Sequence, residues 1–72
     1  MTISIKSPED HNVILADVRA RIVSVERGNL LVFPDRPIDR ECLLSAGAID
    51  NGPDRMVEFP LTSIGEFTIY AH

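Results

Sequence analysis

The sequence predicts a mainly β domain, a small five-stranded SH3-like or Sm-like barrel or twisted antiparallel sheet, to which one short N-terminal helical turn can be added. Three observations carry this expectation. Short runs alternate apolar and polar residues, as in Thr2 to Lys6, where Ile3 and Ile5 share one side. The central segment is rich in β-branched residues: six of the fifteen from Asn12 to Glu26 are Val or Ile, which favours a pleated surface. Turn-forming residues also punctuate the chain at short intervals, most clearly in Asp50-Asn-Gly-Pro-Asp54.

Taken in order, Thr2 to Lys6 reads as a first strand. Ser7-Pro8-Glu9-Asp10 has the form of a helix start, with Ser7 as cap, Pro8 at the first position and two acids at the positive end. Residues 12–26 satisfy two periods. As a helix, Leu15, Val18, Ile22 and Val25 recur at spacings of 3, 4 and 3, with Ile14 on the same face and Gly28 as the C-cap. That reading gives an α+β alternative, a helix over about 8–26 packed on a three- to four-stranded sheet. As strands, Val18, Ala20 and Ile22 alternate with Arg19 and Arg21. A phase slip at Ile22-Val23 then moves the apolar side to Val23 and Val25, as a bulge or a change of strand would. The stretch from Val23 to Phe33 reads as strand, glycine-containing turn, strand, and tips the balance to β.

Beyond Phe33, Pro34-Asp-Arg-Pro37 is a punctuated loop. Asp39-Arg-Glu-Cys-Leu-Leu44 has the composition to open a short helix, which Gly47 ends early. Met56 to Phe59 is a strand broken by Pro60, Leu61 to Gly65 a short turn, and Glu66 to Ala71 a closing strand with Phe67 and Ile69 on one side. A strand, a one-turn interruption and a final strand resembles the way SH3-like and Sm-like barrels close. The resemblance is one of architecture, covers about 16 residues and implies nothing about function.

At 72 residues the chain is one domain. A fold of this size buries only about 60% of the surface of its unfolded chain, and small domains often add disulfides or a metal. Cys42 is the only cysteine, and His11 and His72 have no zinc spacing, so an aliphatic core or a second chain must supply the stability. A homodimer is therefore one expectation. Met1 to Lys6 lacks the pattern of a signal peptide, apolar runs such as Val13–Ala16 are far too short to span a membrane, and a lone thiol suits a reducing compartment; cytoplasm is expected.

The net charge is −4 and sits in the second half, where residues 35–72 hold seven acids against three bases. Proteins that grip duplex nucleic acid non-specifically carry the opposite balance. An acidic surface suits docking on a basic partner.

No catalytic set, and so no enzyme, is read from the residues. Cys42, followed by two leucines, is expected to be a buried and inert thiol, His11 a turn or cap residue, and His72 solvated. The pairs Asp35 with Asp39 and Asp50 with Asp54 lie in turn-rich segments where aspartate bonds its own backbone. The turn at 50–54 lacks the ligand spacing of a calcium loop, and four scattered glycines build no phosphate cradle; no metal or cofactor is expected.

Three surfaces remain. Asp35, Arg36, Ile38, Asp39, Arg40 and Glu41 form a charged, proline-braced loop that can present Ile38 as an apolar anchor within a polar rim. Arg19, Arg21 and Arg27 form a small basic stripe for RNA, a nucleotide or an acidic patch, without interleaved aromatics. A free sheet edge, unless blunted by Pro60, is the third. The expected function is a non-enzymatic protein-binding module, a small accessory, adaptor or inhibitor of the kind phages and mobile elements encode, acting by covering a site on a larger protein. The alternatives are a small-barrel RNA-binding regulator using the arginine stripe and a structural subunit of a homo-oligomer.

Overall fold

The computed structural model describes residues 1–52 and 54–70; Pro53, Ala71 and His72, with the expectations attached to them, lie outside the described residues. Six strands, all paired antiparallel, form one open sheet, with β1 (Thr2–Lys6), β2 (Ile14–Glu26), β3 (Asn29–Pro34), β4 (Ile49–Asp50), β5 (Val57–Pro60) and β6 (Glu66–Tyr70). Their lateral order is β4-β5-β3-β2-β1-β6. The fold is mainly β, and the sheet has six strands and two free edges where the sequence led us to expect five. One helix, α1 (Pro37–Ser45), crosses its inner face, and a 3-10 turn (Leu61–Ser63) joins β5 to β6.

The helix alternative over 8–26 does not form. Ser7 caps no helix: its hydroxyl accepts the Glu9 N–H and Asp10 accepts the Asn12 N–H, two local turns that divert the chain before helix can start. Residues 14–26 are instead one long strand shared between two partners. Its first half pairs with β1 (Ile3 opposite Val18) and its second half with β3 (Ile22 opposite Val32). The phase slip in the sequence is a β-bulge between Ile22 and Ser24. Past the bulge Val23 and Val25 stay exposed, so the slip bends the strand end away from the core. Arg27 and Gly28 both have positive φ, as a two-residue hairpin turn of the right twist requires.

The core lies between the sheet's inner face and α1. Ile3, Ile5, Val18, Ala20, Leu30, Val32, Val57 and Phe59 project from the strands, and Leu43 meets them from the helix. Burial of this aliphatic set, at about 25 cal/mol per Å², supplies the main stabilisation.

Of the segment predicted to be a loop at 34–37, Pro34 closes β3, Asp35 and Arg36 form the connecting bend, and Pro37 begins the helix. Pro37 occupies its first position, where the missing N–H costs nothing and φ is already helical. Its C-terminus closes on Gly47, at φ +108°, with Ala48 N–H donating to the Leu43 carbonyl (3.0 Å) and Gly47 N–H to Leu44 (3.1 Å). This is the two-bond pattern that satisfies the last helical carbonyls.

Candidate functional site

The six residues singled out between Asp35 and Glu41 separate into two groups once the helix forms. β3 ends at Pro34, opposite Ala20, so the next β2 amide toward β1, Arg19 N–H, has no strand to bond. Asp39 fills the gap. Its Oδ1 accepts Arg19 N–H (3.1 Å), while Oδ2 accepts the Arg36 main-chain N–H (3.1 Å). The Arg36 side chain closes on the same carboxylate through Nε (2.7 Å) and Nη2 (2.9 Å). Asp39 is 2% exposed, and these bonds, the Arg36 guanidinium first, hold its carboxyl below the usual carboxylate range. Asp39 is thus removed from the contact surface: it is the clip that fastens α1 to β2.

Arg40 is also committed. Its guanidinium donates to the Arg55 carbonyl (2.8 Å), to the Gly52 carbonyl and to the Asp50 carboxylate, fixing those three residues against α1. Gly52 N–H donates to Asp50 as well (2.9 Å), and together these bonds lower the Asp50 carboxyl. Of the pairs Asp35/Asp39 and Asp50/Asp54, one member of each, Asp39 and Asp50, thus holds main-chain N–H groups, as aspartates in turns commonly do.

Ile38 behaves differently. It stands one residue before the clip and points away from it, 58% exposed. Helical spacing places Glu41, Cys42 and Ser45 on its face. Across from them runs the start of β2, where Ile14 is 56% exposed and Leu15 half buried. Together they line an open groove of about 590 Å³. Asp17 and Glu41 edge it, and among the described residues neither makes an ion pair; Asp35 is exposed but lies apart from the groove, beside Phe33 and Pro34. The surface is an apolar strip with an acidic border. Cys42 lies on it and is exposed, contrary to the buried thiol expected from its two following leucines: the helical turn sends Leu43 into the core and Cys42 out.

On the sheet's outer face, Arg19 and Arg21 do point to the same side, alternating with buried Val18 and Ala20. Arg27 does not join them. It sits in the β2–β3 turn, about 20 Å farther along the strand at 3.3 Å per residue. The neighbouring acids Asp17 and Glu26 do not pair with these arginines: among the described residues Arg19, Arg21 and Arg27 make no ion pair. What the sequence did not reveal is the aromatic company. Phe33 faces Arg21 across the β2–β3 ladder, with the guanidinium carbon 5.6 Å from the ring centroid. Tyr70 pairs with Thr2, which pairs with Arg19, so Tyr70 shares their face.

The edges differ. β4 covers only Val57 and Glu58 of β5, and Pro60 denies a ladder donor beyond them. On the other side β6 pairs with β1 alone. His11, on the loop before β2, packs over Gly65. Among the described residues no group of three or more His, Cys, Asp or Glu is placed to hold a metal ion, and no helix is long and apolar enough to cross a membrane. No protein-family model, no curated protein and no solved structure matches the chain.

Proposed function

We propose that the chain is a non-enzymatic protein-binding module, a small accessory, adaptor or inhibitor protein that covers a site on a larger protein with the groove between α1 and the start of β2. The observation that supports this best is the pairing of Ile38 and Ile14, two large aliphatic side chains more than half exposed on one groove. Exposed aliphatic groups clustered within a polar rim have the anatomy of an interface centre. The unpaired acids at the border suit a partner that offers an apolar protrusion or shallow pocket ringed by lysine or arginine. A cytoplasmic setting belongs to the same proposal, because an exposed Cys42 stays free only where thiols are kept reduced.

Affinity capture with three forms of the protein tests this. The wild type and a Val25→Glu variant, altered at an exposed site on the far end of β2, should retain one stoichiometric protein that survives nuclease. Ile38→Glu should lose it, since truncating or charging an interface anchor costs about 2 kcal/mol or more. Retention of that protein by Ile38→Glu, or capture of no protein that survives nuclease, would refute the assignment.

A further inference from the structure

A second surface lies on the opposite side of the sheet, and its ligand is of another class. From the strand registers, Tyr70, Arg19, Arg21 and Phe33 form one band across the outer face of β6, β1, β2 and β3. Strands stand about 4.8 Å apart and alternate residues about 6.7 Å, which places Tyr70 roughly 10 Å from Arg19, Arg19 about 7 Å from Arg21, and Phe33 one strand beyond. Both rings are open to solvent, Tyr70 at 49% and Phe33 at 36%.

We infer that this band binds single-stranded nucleic acid, with Phe33 and Tyr70 as stacking platforms and Arg19 and Arg21 as phosphate contacts. Two features point to that ligand. The arginines are unspent, since among the described residues neither guanidinium is held by a carboxylate, while Arg36 and Arg40, the helix arginines, both are. Arg21 is held instead over the Phe33 ring, a pose that leaves its outward N–H groups for an anion and extends the flat surface on which a base can lie. Aromatic rings flanking a pair of cations on a sheet face suit unpaired bases, whose faces are accessible, and not a duplex, whose bases are stacked inside.

The net charge of −4 does not forbid this. Charges more than about 8 Å away are screened at physiological ionic strength, so acids remote from the band contribute little here. Four carboxylates border it: Asp17 lies two residues before Arg19 on the same face, and Asp35, Asp54 and Glu58 line the clefts beside Arg21 and Phe33. Arg27, in the β2–β3 turn, lies outside.

Fluorescence anisotropy with labelled 12-mers of rU and dT, and a 12-bp duplex, over a range of salt concentrations tests the inference. The expected result is salt-dependent binding of either single strand, at least tenfold tighter than the duplex. Arg19→Ala with Arg21→Ala should reduce the slope of log K against log salt by about 1.4, two phosphates' worth for a single strand. Phe33→Leu and Tyr70→Leu should each weaken binding about tenfold and leave that slope unchanged. The pair Arg19→Lys and Arg21→Lys should keep it, which separates loss of charge from loss of fold. Absence of binding at low salt, equal affinity for the duplex, variants that bind like the wild type, or a nuclease-resistant protein lost on Arg21→Ala would overturn it.

Discussion

Replacing Asp39 with Asn preserves the side chain's shape and removes its charge, and so isolates what the carboxylate does at the start of α1. In the wild type both oxygens are occupied, by two main-chain N–H groups and by two nitrogens of Arg36. The ion pair contributes under about 1 kcal/mol, because the Arg36 side chain is half exposed and solvent screens it. The main-chain bonds weigh more. In the amide only one atom accepts, so the N–H of Arg19 or of Arg36 must face a donor at a buried junction, at a cost of about 1–3 kcal/mol. Together the loss is about 1–4 kcal/mol, a large share of the roughly 5–15 kcal/mol that holds a domain folded. At roughly 4–8 °C per kcal/mol for a chain of this length, Tm falls by about 4 °C or more. Urea unfolding followed by circular dichroism should show a lower midpoint with an unchanged m value. The pH dependence has a definite sign. Arg36 holds the Asp39 carboxyl below its ordinary value, so the stabilisation is complete above about 3.9 and fades as the pH falls through the lower native value. The gap between wild type and Asp39→Asn is therefore widest near neutrality and narrows in acid. A midpoint change worth less than about 0.5 kcal/mol, or a gap that stays constant from about pH 6 to pH 2, would refute the clip.

Further outcomes follow from the same contacts. Gly65→Ala should destabilise the fold by about 1–3 kcal/mol, because its Cβ would lie 2.5 Å from the Ser7 carbonyl oxygen, a main-chain atom with no room to retreat; an unchanged urea midpoint would show that the β1–β2 loop yields freely. Arg40→Ala should speed amide exchange at 50–55, since one guanidinium there bonds Asp50 and two carbonyls, and should leave exchange in β1 and β6 unaltered. Cys42 should react with a maleimide in the folded state at nearly the rate of the urea-unfolded chain; strong native protection would contradict its place on the groove.

How much of this was readable in the residues depended on whether the deciding partner was near in sequence. The alternation of Val18, Ala20 and Ile22 with two arginines, the slip at Ile22-Val23 and the Arg27-Gly28 turn are local signals, and the structure realises each of them. Ser7-Pro8 looked like a helix start and was not, because the residues after it alternate for a sheet and its hydroxyl had a nearer amide to satisfy. The helix at 37–45 was anticipated only from Asp39 onward, since Pro37 serves a loop and a first helical turn equally well. Asp39 carries the clearest lesson. In the sequence it is one more acid in a charged segment, and only the end of β3 at Pro34, opposite Ala20, leaves the Arg19 amide that claims it. Likewise Phe33 and Tyr70 are 12 and 51 positions from Arg21 and Arg19, and the strand register alone brings them to one face.

The protein-binding assignment rests on Ile38 being a contact residue and Asp39, beside it, a structural one. Isothermal titration of the captured partner with the wild type and with Ile38→Glu, alongside a thermal melt of each, addresses that division directly. The expected result is an affinity at least about thirtyfold weaker with Tm unchanged, since the side chain is already exposed in the free protein. Equal affinities for the two forms would place the partner elsewhere and contradict the proposal.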